Sequence, residues 1–448
     1  MNLPPSNRRG SVLIIVLWIA LGLVSMALYF ANSMSLELRA SDNRAAALAA
    51  DQAIEGGARY VAYVLSMYAT NGVMPDISQY QAEAVPVGDA RFWIIGRDLS
   101  SPPMHPDLVT FGLVDEASKL NLNSASTNFL TYLPGMNPDL LTAIVDWRNP
   151  NASGGSKLYY AMVQPPYQCK GAPFETVDEL RLVYGTSMDI LAGDDVNRNG
   201  ILDTNEKDEG GNGQVDPGLF EYVTVYSREP NFHSDGSMRT NVNTAVQLLP
   251  LLQSAFGPGR ASQILLRLGY TTGPSRPGRP SVTTGTFRGL LAFYLRSGMT
   301  SAEFSQIYRN ATISTSRYKT GRVNINTASA TVLACLPGMD TGTAQTLVNY
   351  RAANPDNISS IAWIVDALGS THTAIQALSA GDYITTQSYQ FTADIAAVGP
   401  YGRGYRRVKF IFDITEGTPK ILFRQDLSRL GWALGENVRQ LVVAKNTP

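Results

Sequence analysis

Histidine and cysteine are scarce in this chain, with three and two among 448 residues. His105, His233 and His372 are scattered without the spacing of a metal-ligand set. No HExxH, CxxC, Walker or GxSxG pattern occurs, and Gly257-Pro258-Gly259 opens like a dinucleotide loop but runs into Ser262 with no strand before it. The sequence therefore offers no catalytic constellation and reads as a non-enzymatic protein. Charge is also low, at 16%, with 36 basic against 37 acidic residues, so no global field draws nucleic acid. Two cysteines rule out a disulfide-dense miniprotein, and whether Cys169 and Cys335 pair stays open. What remains is 44% hydrophobic, enough for a sizeable core, with 39 glycines and 25 prolines that call for many turns.

The chain has one long apolar run. Ser11 to Phe30 (SVLIIVLWIALGLVSMALYF) carries no charge and is long enough to cross a bilayer as a helix. The leader MNLPPSNRRG ends in Arg8, Arg9 and Gly10, which sets the N-terminus on the cytoplasmic side and the remainder across the membrane. A secretory signal would stop at a small-x-small site, whereas here an Ala-rich, Pro-free stretch runs on to Met67. A basic leader ending in Gly before such a helix resembles the type IV pilin and pseudopilin N-terminus. That resemblance implies cleavage by a prepilin peptidase between Gly10 and Ser11. The usual Glu at the fifth mature position is replaced by Ile15. A carboxylate at that depth costs about 2.5–3.5 kcal/mol on insertion scales and is tolerated where it meets a neighbour's amine. Ile15 therefore suits a subunit with no neighbour above it.

Alternation and turn clusters predict short strands over Ala90–Leu99, Val109–Val114, Tyr389–Val398, Arg406–Ile414 and Pro419–Leu427. Between them lies a long, mostly helical insertion that includes a Pro/Gly/Ser/Thr linker over Thr271–Thr286. The insertion repeats itself. Lys119–Ser126 (KLNLNSAS) matches Arg322–Ser329 (RVNINTAS), Leu133–Met136 matches Leu336–Met339, and Trp147-Arg148 matches Tyr350-Arg351, all 203 positions apart. Arg239–Val246 (RTNVNTAV) is a third copy, with a degenerate hairpin over Gly257–Leu268. Polar caps, Leu-Pro-Gly turns and helical spacing make these helix-hairpin-helix-like units. The DNA-binding type of hairpin has a second glycine, which Asn137 and Asp340 replace, so a protein-facing role is expected and nucleic acid is not.

The sharpest local pattern is Asp195–Glu206, DVNRNGILDTNE. Asp195, Asn197, Asn199, Asp203 and Glu206 take positions one, three, five, nine and twelve of a calcium loop, Gly200 takes six, and Ile201 offers its carbonyl at seven. From Asp194 to Glu221, eight acids face Arg198 and Lys207, a net charge of −6 that a cation would relieve. Two Asn among the early ligands lower the charge of the set. A second, incomplete loop follows: Asp208, Asn212 and Asp216 hold positions one, five and nine, with Glu221 available to complete it. Phe220–Tyr226 reads as a strand, so this loop is expected to act as a staple and not as a helix-flanked sensor.

The pilin-like start without Glu, the sheet split by a helical insertion, the Asp115–Ala125 run (DEASKLNLNSA) and Asp426–Gly431 together resemble the type II secretion minor pseudopilin K family. The resemblance implies an α+β fold: a pilin-like long N-terminal helix and small antiparallel sheet, interrupted by the helical insertion. The expected divisions are a leader over 1–10, helix and stem over 11–68, first strands over 85–118, the insertion over 119–386, and last strands and tail over 387–448. It further implies a subunit that caps or starts the pseudopilus, calcium on the loop named above, and minor pseudopilins I and J, other pseudopilins and the prepilin peptidase as partners. The expected location is the bacterial inner membrane, crossed once, with the large C-terminal part in the periplasm. The rival readings are a membrane-anchored DNA-uptake protein and a type IV pilus tip subunit.

Overall fold

A computed structural model describes residues 9–69, 72–98, 100, 103–151, 156–270 and 286–444. Most of the leader and nearly all of the Pro/Gly-rich linker lie outside the described residues. The first element is a single 60-residue helix, the stem, over Arg9–Tyr68, about 90 Å long at 1.5 Å per residue. Its large apolar side chains from Val12 to Leu38 are exposed. Its second half buries Ala50, Ala53, Ile54, Ala58, Val61, Val64 and Leu65, three or four positions apart, the stripe of a helix laid on a surface.

That surface is one antiparallel sheet: β1 (Val85–Val87), β2 (Ala90–Ile95), β3 (Val114–Asp115), β4 (Gln390–Val398), β5 (Arg406–Asp413) and β6 (Lys420–Asp426). The order is β1-β2-β4-β5-β6, with β3 pairing the start of β4. Phe92, Ile94, Ile395, Phe410 and Phe412 meet the stem from one face. Gly57 lets the two approach, since a Cβ there would stand 3.1 Å from Ile395 Cγ2 and 3.2 Å from Phe92. The other face carries a smaller cluster, in which Trp93, Ile95, Ala396 and Val398 pack under Ala433 and Leu434. The pattern over Val109–Val114 yields only β3 and an isolated bridge from Phe111 to Ile95. β1 has no alternating signature, because Val-Pro-Val is too short to show one.

Between β3 and β4 stands the insertion, with an apolar core of its own. Three units share one plan. Each opens on a two-residue strand that pairs in parallel with a two-residue strand far downstream: Leu120–Asn121 with Val223–Thr224, Thr240–Asn241 with Ala311–Thr312, and Val323–Asn324 with Ile384–Thr385. In each, the first Asn (121, 241, 324) accepts the N–H two residues on, at 2.9 Å. The second Asn donates Nδ2 to the start of the unit's second half. Asn123 reaches the Phe174 carbonyl at 2.9 Å, Asn243 that of Phe287 at 3.2 Å, and Asn326 that of Ile358 at 2.9 Å. The short polar side chain thus fastens two backbone segments that no regular ladder joins.

The first turn of each unit hangs on a left-handed glycine: Gly135, Gly257 and Gly338 at φ 70°, 76° and 71°. The middle hairpin, degenerate in sequence, keeps that turn as a kink inside Ala245–Leu268, with Pro258 just after it. In the outer units an arginine returns to the opening segment. Arg148 donates to the carbonyls of Leu122 and Ala125, and Arg351 to those of Ile325 and Ala328. In the middle unit the Tyr270 hydroxyl donates to the Val242 carbonyl at 3.0 Å. Cys169 and Cys335 are free thiols, one in the first unit and one in the third.

Candidate functional site

Two regions hold the residues singled out by sequence. Gly10 and Ser11 lie in the first turns of the stem, and Ile15 sits exposed among the apolar residues above them. The stem is long and apolar enough to cross a membrane.

The second region is the acidic stretch in the first unit, after the short helix Met188–Ala192. Asp195 Oδ1 accepts the N–H of Asn199 at 2.8 Å and its Oδ2 that of Gly200 at 2.8 Å, while Asn199 Oδ1 accepts from Ile201 N at 3.0 Å. Gly200 takes φ 86°, which this tight turn requires. Glu206 closes the loop, Oε1 accepting from Asn197 N and Oε2 from Asp203 N, both at 3.0 Å. Asn197 Nδ2 and Asn199 Nδ2 converge on Asp203 Oδ2 at 2.6 and 2.8 Å. Hydrogen bonds therefore tie all five side chains of the expected set together around one turn.

Burial pushes Asp195 up to about 6, an effect that the nearby Arg97 guanidinium only partly offsets. Burial also raises Glu206. Asn197 Oδ1 is buried without a hydrogen-bond partner. Oxygen-only donors, carboxylates penalised by burial and an orphaned amide oxygen are what a hard divalent cation would satisfy. Among the described residues no three Asp, Glu, His or Cys side chains converge tightly enough to hold a metal by themselves. The fit thus depends on the two Asn and a carbonyl as well as the acids.

The second loop repeats the first turn. Asp208 Oδ1 and Oδ2 accept from Asn212 N at 3.3 Å and Gly213 N at 2.8 Å, and Asn212 Oδ1 accepts from Gln214 N at 2.8 Å. Asp216 Oδ2 faces the same turn, since a Cβ on Gly210 would meet it at 2.6 Å. Glu221 is not with them. It pairs with Arg97 at 2.9 Å, on the helical turn Leu219–Tyr222 that replaces the strand expected over Phe220–Tyr226, of which only Val223–Thr224 pairs. Sequence reading passed over Asp194, which accepts from Glu209 N at 3.4 Å between the two loops and keeps Oδ2 buried and unpartnered.

A third polar cluster ties the insertion to the sheet. Asp115 Oδ2 receives Asn324 Nδ2 at 2.9 Å, Thr327 Oγ1 at 2.6 Å and Ser388 Oγ at 2.5 Å. Burial still pushes its carboxyl up to about 6. Glu116 accepts from Thr224 of the first unit and from Thr392 of β4, with Lys119 3.6 Å away. This is the Asp115–Ala125 run seen from inside, where its polar residues hold the root of the insertion.

Comparison with known families falls on the units just described. A model for the type II secretion system (T2SS), protein K, matches residues 118–193, within the first unit. A second model of the same description matches residues 323–380, within the third. Two segments of this chain, 118–193 and 323–380, are thus similar to type II secretion system protein K. Both matches support reading it as a minor pseudopilin of that system. The loop at 195–206 lies outside both matched segments. No curated protein matches the chain. Among solved structures, one chain of the GspK-GspI-GspJ complex from the enterotoxigenic Escherichia coli type 2 secretion system matches at 10% identity and a TM-score of 0.39. That match covers 84% of this chain and 96% of that one. A likeness at that level supports no statement of fold or partner.

Proposed function

We propose that this minor pseudopilin stands at the tip of the type II secretion pseudopilus, in a complex with minor pseudopilins I and J, and either starts or caps the fibre. The observation that carries the reading is Ile15, an apolar residue exposed on a membrane-length helix where a fibre subunit bears an acid. With no carboxylate to neutralise, the stem needs no amine from a subunit above it. The leader is removed by the prepilin peptidase between Gly10 and Ser11, other pseudopilins pack along the stem, and the C-terminal part lies in the periplasm. The protein performs no chemistry of its own.

Calcium belongs to the same reading. Bound by Asp195, Asn197, Asn199, Asp203, Glu206 and the Ile201 carbonyl, it would supply positive charge where burial disfavours carboxylates. The second turn, with Asp208, Asn212 and Asp216, offers a further seat, with Asp194 beside it in place of Glu221. DNA uptake is disfavoured by the hairpins themselves. The helix N-termini that would meet a phosphate are occupied by Asn137, which accepts from Leu140 N at 2.9 Å, and Asp340, which accepts from Thr343 N at 2.7 Å.

Mass spectrometry of the chain expressed with its peptidase should give a mature protein beginning at Ser11, and detergent extracts should yield a ternary complex with I and J. A retained leader, or failure to co-purify with both partners, would sink the tip reading. Calcium at a hundredfold excess over its Kd should stabilise the chain by about 2.7 kcal/mol, measured as a shift in the denaturant midpoint. Magnesium, which demands a tighter octahedron, should do far less.

A further inference from the structure

The apolar core of the insertion and the two apolar clusters of the sheet do not merge. What joins the two bodies is chiefly polar: besides Arg228 on Asp413 and Gln390, Asp178 on Gln425, and the Tyr226 ring against Phe423, it gathers at two places. One is the root around Asp115 and Glu116. The other is the 195–206 loop, which lies against the sheet face away from the stem.

Two arginines of the sheet take hold of that loop by its backbone. Arg407, on β5 and fully buried, forks onto Asp394 of β4, with Nε at 2.9 Å and Nη2 at 2.6 Å. Its Nη1 also donates to the Asn197 carbonyl at 2.5 Å and its Nη2 to the Arg198 carbonyl at 2.8 Å. Arg97, just past β2, donates Nη2 to the same Arg198 carbonyl at 3.1 Å and Nε to Glu221 at 2.9 Å. From the opposite side, Asn197 Nδ2 lies 3.2 Å from the Trp432 carbonyl, in the segment that covers this face of the sheet. The clamped carbonyls belong to the third and fourth loop positions. A calcium loop draws its backbone ligand from the seventh, so clamp and cation do not compete for atoms.

We infer that Arg407, assisted by Arg97, is a positioning residue that transmits closure of the 195–206 loop by a hard divalent cation into the sheet, making the loop a cation-dependent fastening between insertion and sheet. A planar guanidinium meets a carboxylate and two consecutive carbonyls at once, which a lysine ammonium on the same stem does not. The inference rests on the calcium reading above and adds a route from that site to β4, β5 and the 432–444 segment.

The test is hydrogen exchange on the full chain in detergent, with calcium chloride or with chelator, for wild type and for Arg407→Lys. In the wild type, calcium should slow exchange about tenfold in the loop, in the β4–β5 pair and in the 432–444 segment. Arg407→Lys keeps a cation beside Asp394, and calcium should still protect its loop while protection of the strands and the C-terminal segment disappears. Should Arg407→Lys misfold, the double variant Arg407→Gln with Asp394→Asn removes the clamp without leaving a charge buried alone. Wild-type protection confined to the loop overturns this inference and leaves the calcium reading standing, as does protection that spreads to the strands equally in the variants. No protection of the wild-type loop overturns both.

Discussion

The outer units and the middle unit of the insertion solve one problem with different side chains. In the first and third units an arginine binds two carbonyls of the opening segment; in the middle unit a tyrosine binds one. Around that difference the backbone frame is unchanged, down to the paired Asn contacts and the left-handed glycine. The frame is what the fold requires. The residue that braces it is free to vary, at some cost in strength. That the two family models match the first and third units fits this view.

The comparison is sharpened by substitutions in matched positions, read by denaturant unfolding and unit-resolved hydrogen exchange. The largest effect is expected at the second Asn. Asn326 holds the Ile358 carbonyl and receives the Trp363 indole N–H at 2.9 Å, while Asn243 holds the Phe287 carbonyl and receives that residue's N–H at 2.8 Å, so Asn326→Ala and Asn243→Ala should each cost about 2–3 kcal/mol. A much smaller loss for Asn243→Ala would mean that the middle unit does not lean on its second Asn as the third does.

The glycines come next. A Cβ on Gly338 would stand 2.7 Å from Ala377 Cβ and 3.2 Å from the Ala374 backbone, whereas nothing lies within 4 Å of one on Gly257. Gly338→Ala therefore adds a clash to the left-handed strain and should cost about 2–3 kcal/mol. Gly257→Ala bears the strain alone, about 1. If both lose the same amount, the close packing of the third hairpin is not felt.

Smaller still is the brace. Arg351→Met strands two buried carbonyls, for about 2 kcal/mol, and Tyr270→Phe strands one, for about 1. A Tyr270→Phe loss matching that of Arg351→Met would show that the two braces are equals. Least of all is the ion pair peculiar to the middle unit, where Arg260 forks onto Glu303 at 2.8 and 2.9 Å. Its hydrogen bonds hold Glu303 down to about 2. A lowered carboxyl stabilises above its ordinary range and stops doing so as pH falls through about 2. The pair is part-exposed, so Arg260→Ala should cost under about 1 kcal/mol at neutral pH and nothing at the acid end.

Much of this was legible in the sequence. The stem, four of the six sheet strands, the outer repeats and the loop positions all carry local signals: a chargeless run, alternation, a fixed offset, a twelve-residue pattern. What stayed hidden is what joins distant segments. The closing strands of the units are two residues long and lie 61 to 103 positions from their partners (384 − 323 = 61; 223 − 120 = 103), too short to show a period. Tyr270 could not be recognised as a stand-in for arginine, because equivalence there is one of reach and not of residue type. Arg97 and Arg407 gave no sign that they meet the acidic loop, since hydrogen bonds to its carbonyls across 101 to 210 positions leave no spacing to detect. Glu221 was assigned to a second cation turn on proximity in sequence, and the fold spends it on Arg97 instead.

The insertion leaves the sheet at Asp115 and comes back at Phe391, and these two residues are paired neighbours on adjoining strands. A tight hairpin would span the gap if everything between were excised. The helical part is thus a cassette threaded through a single slot, so its covalent entry and exit leave the strand order of the ribbon untouched.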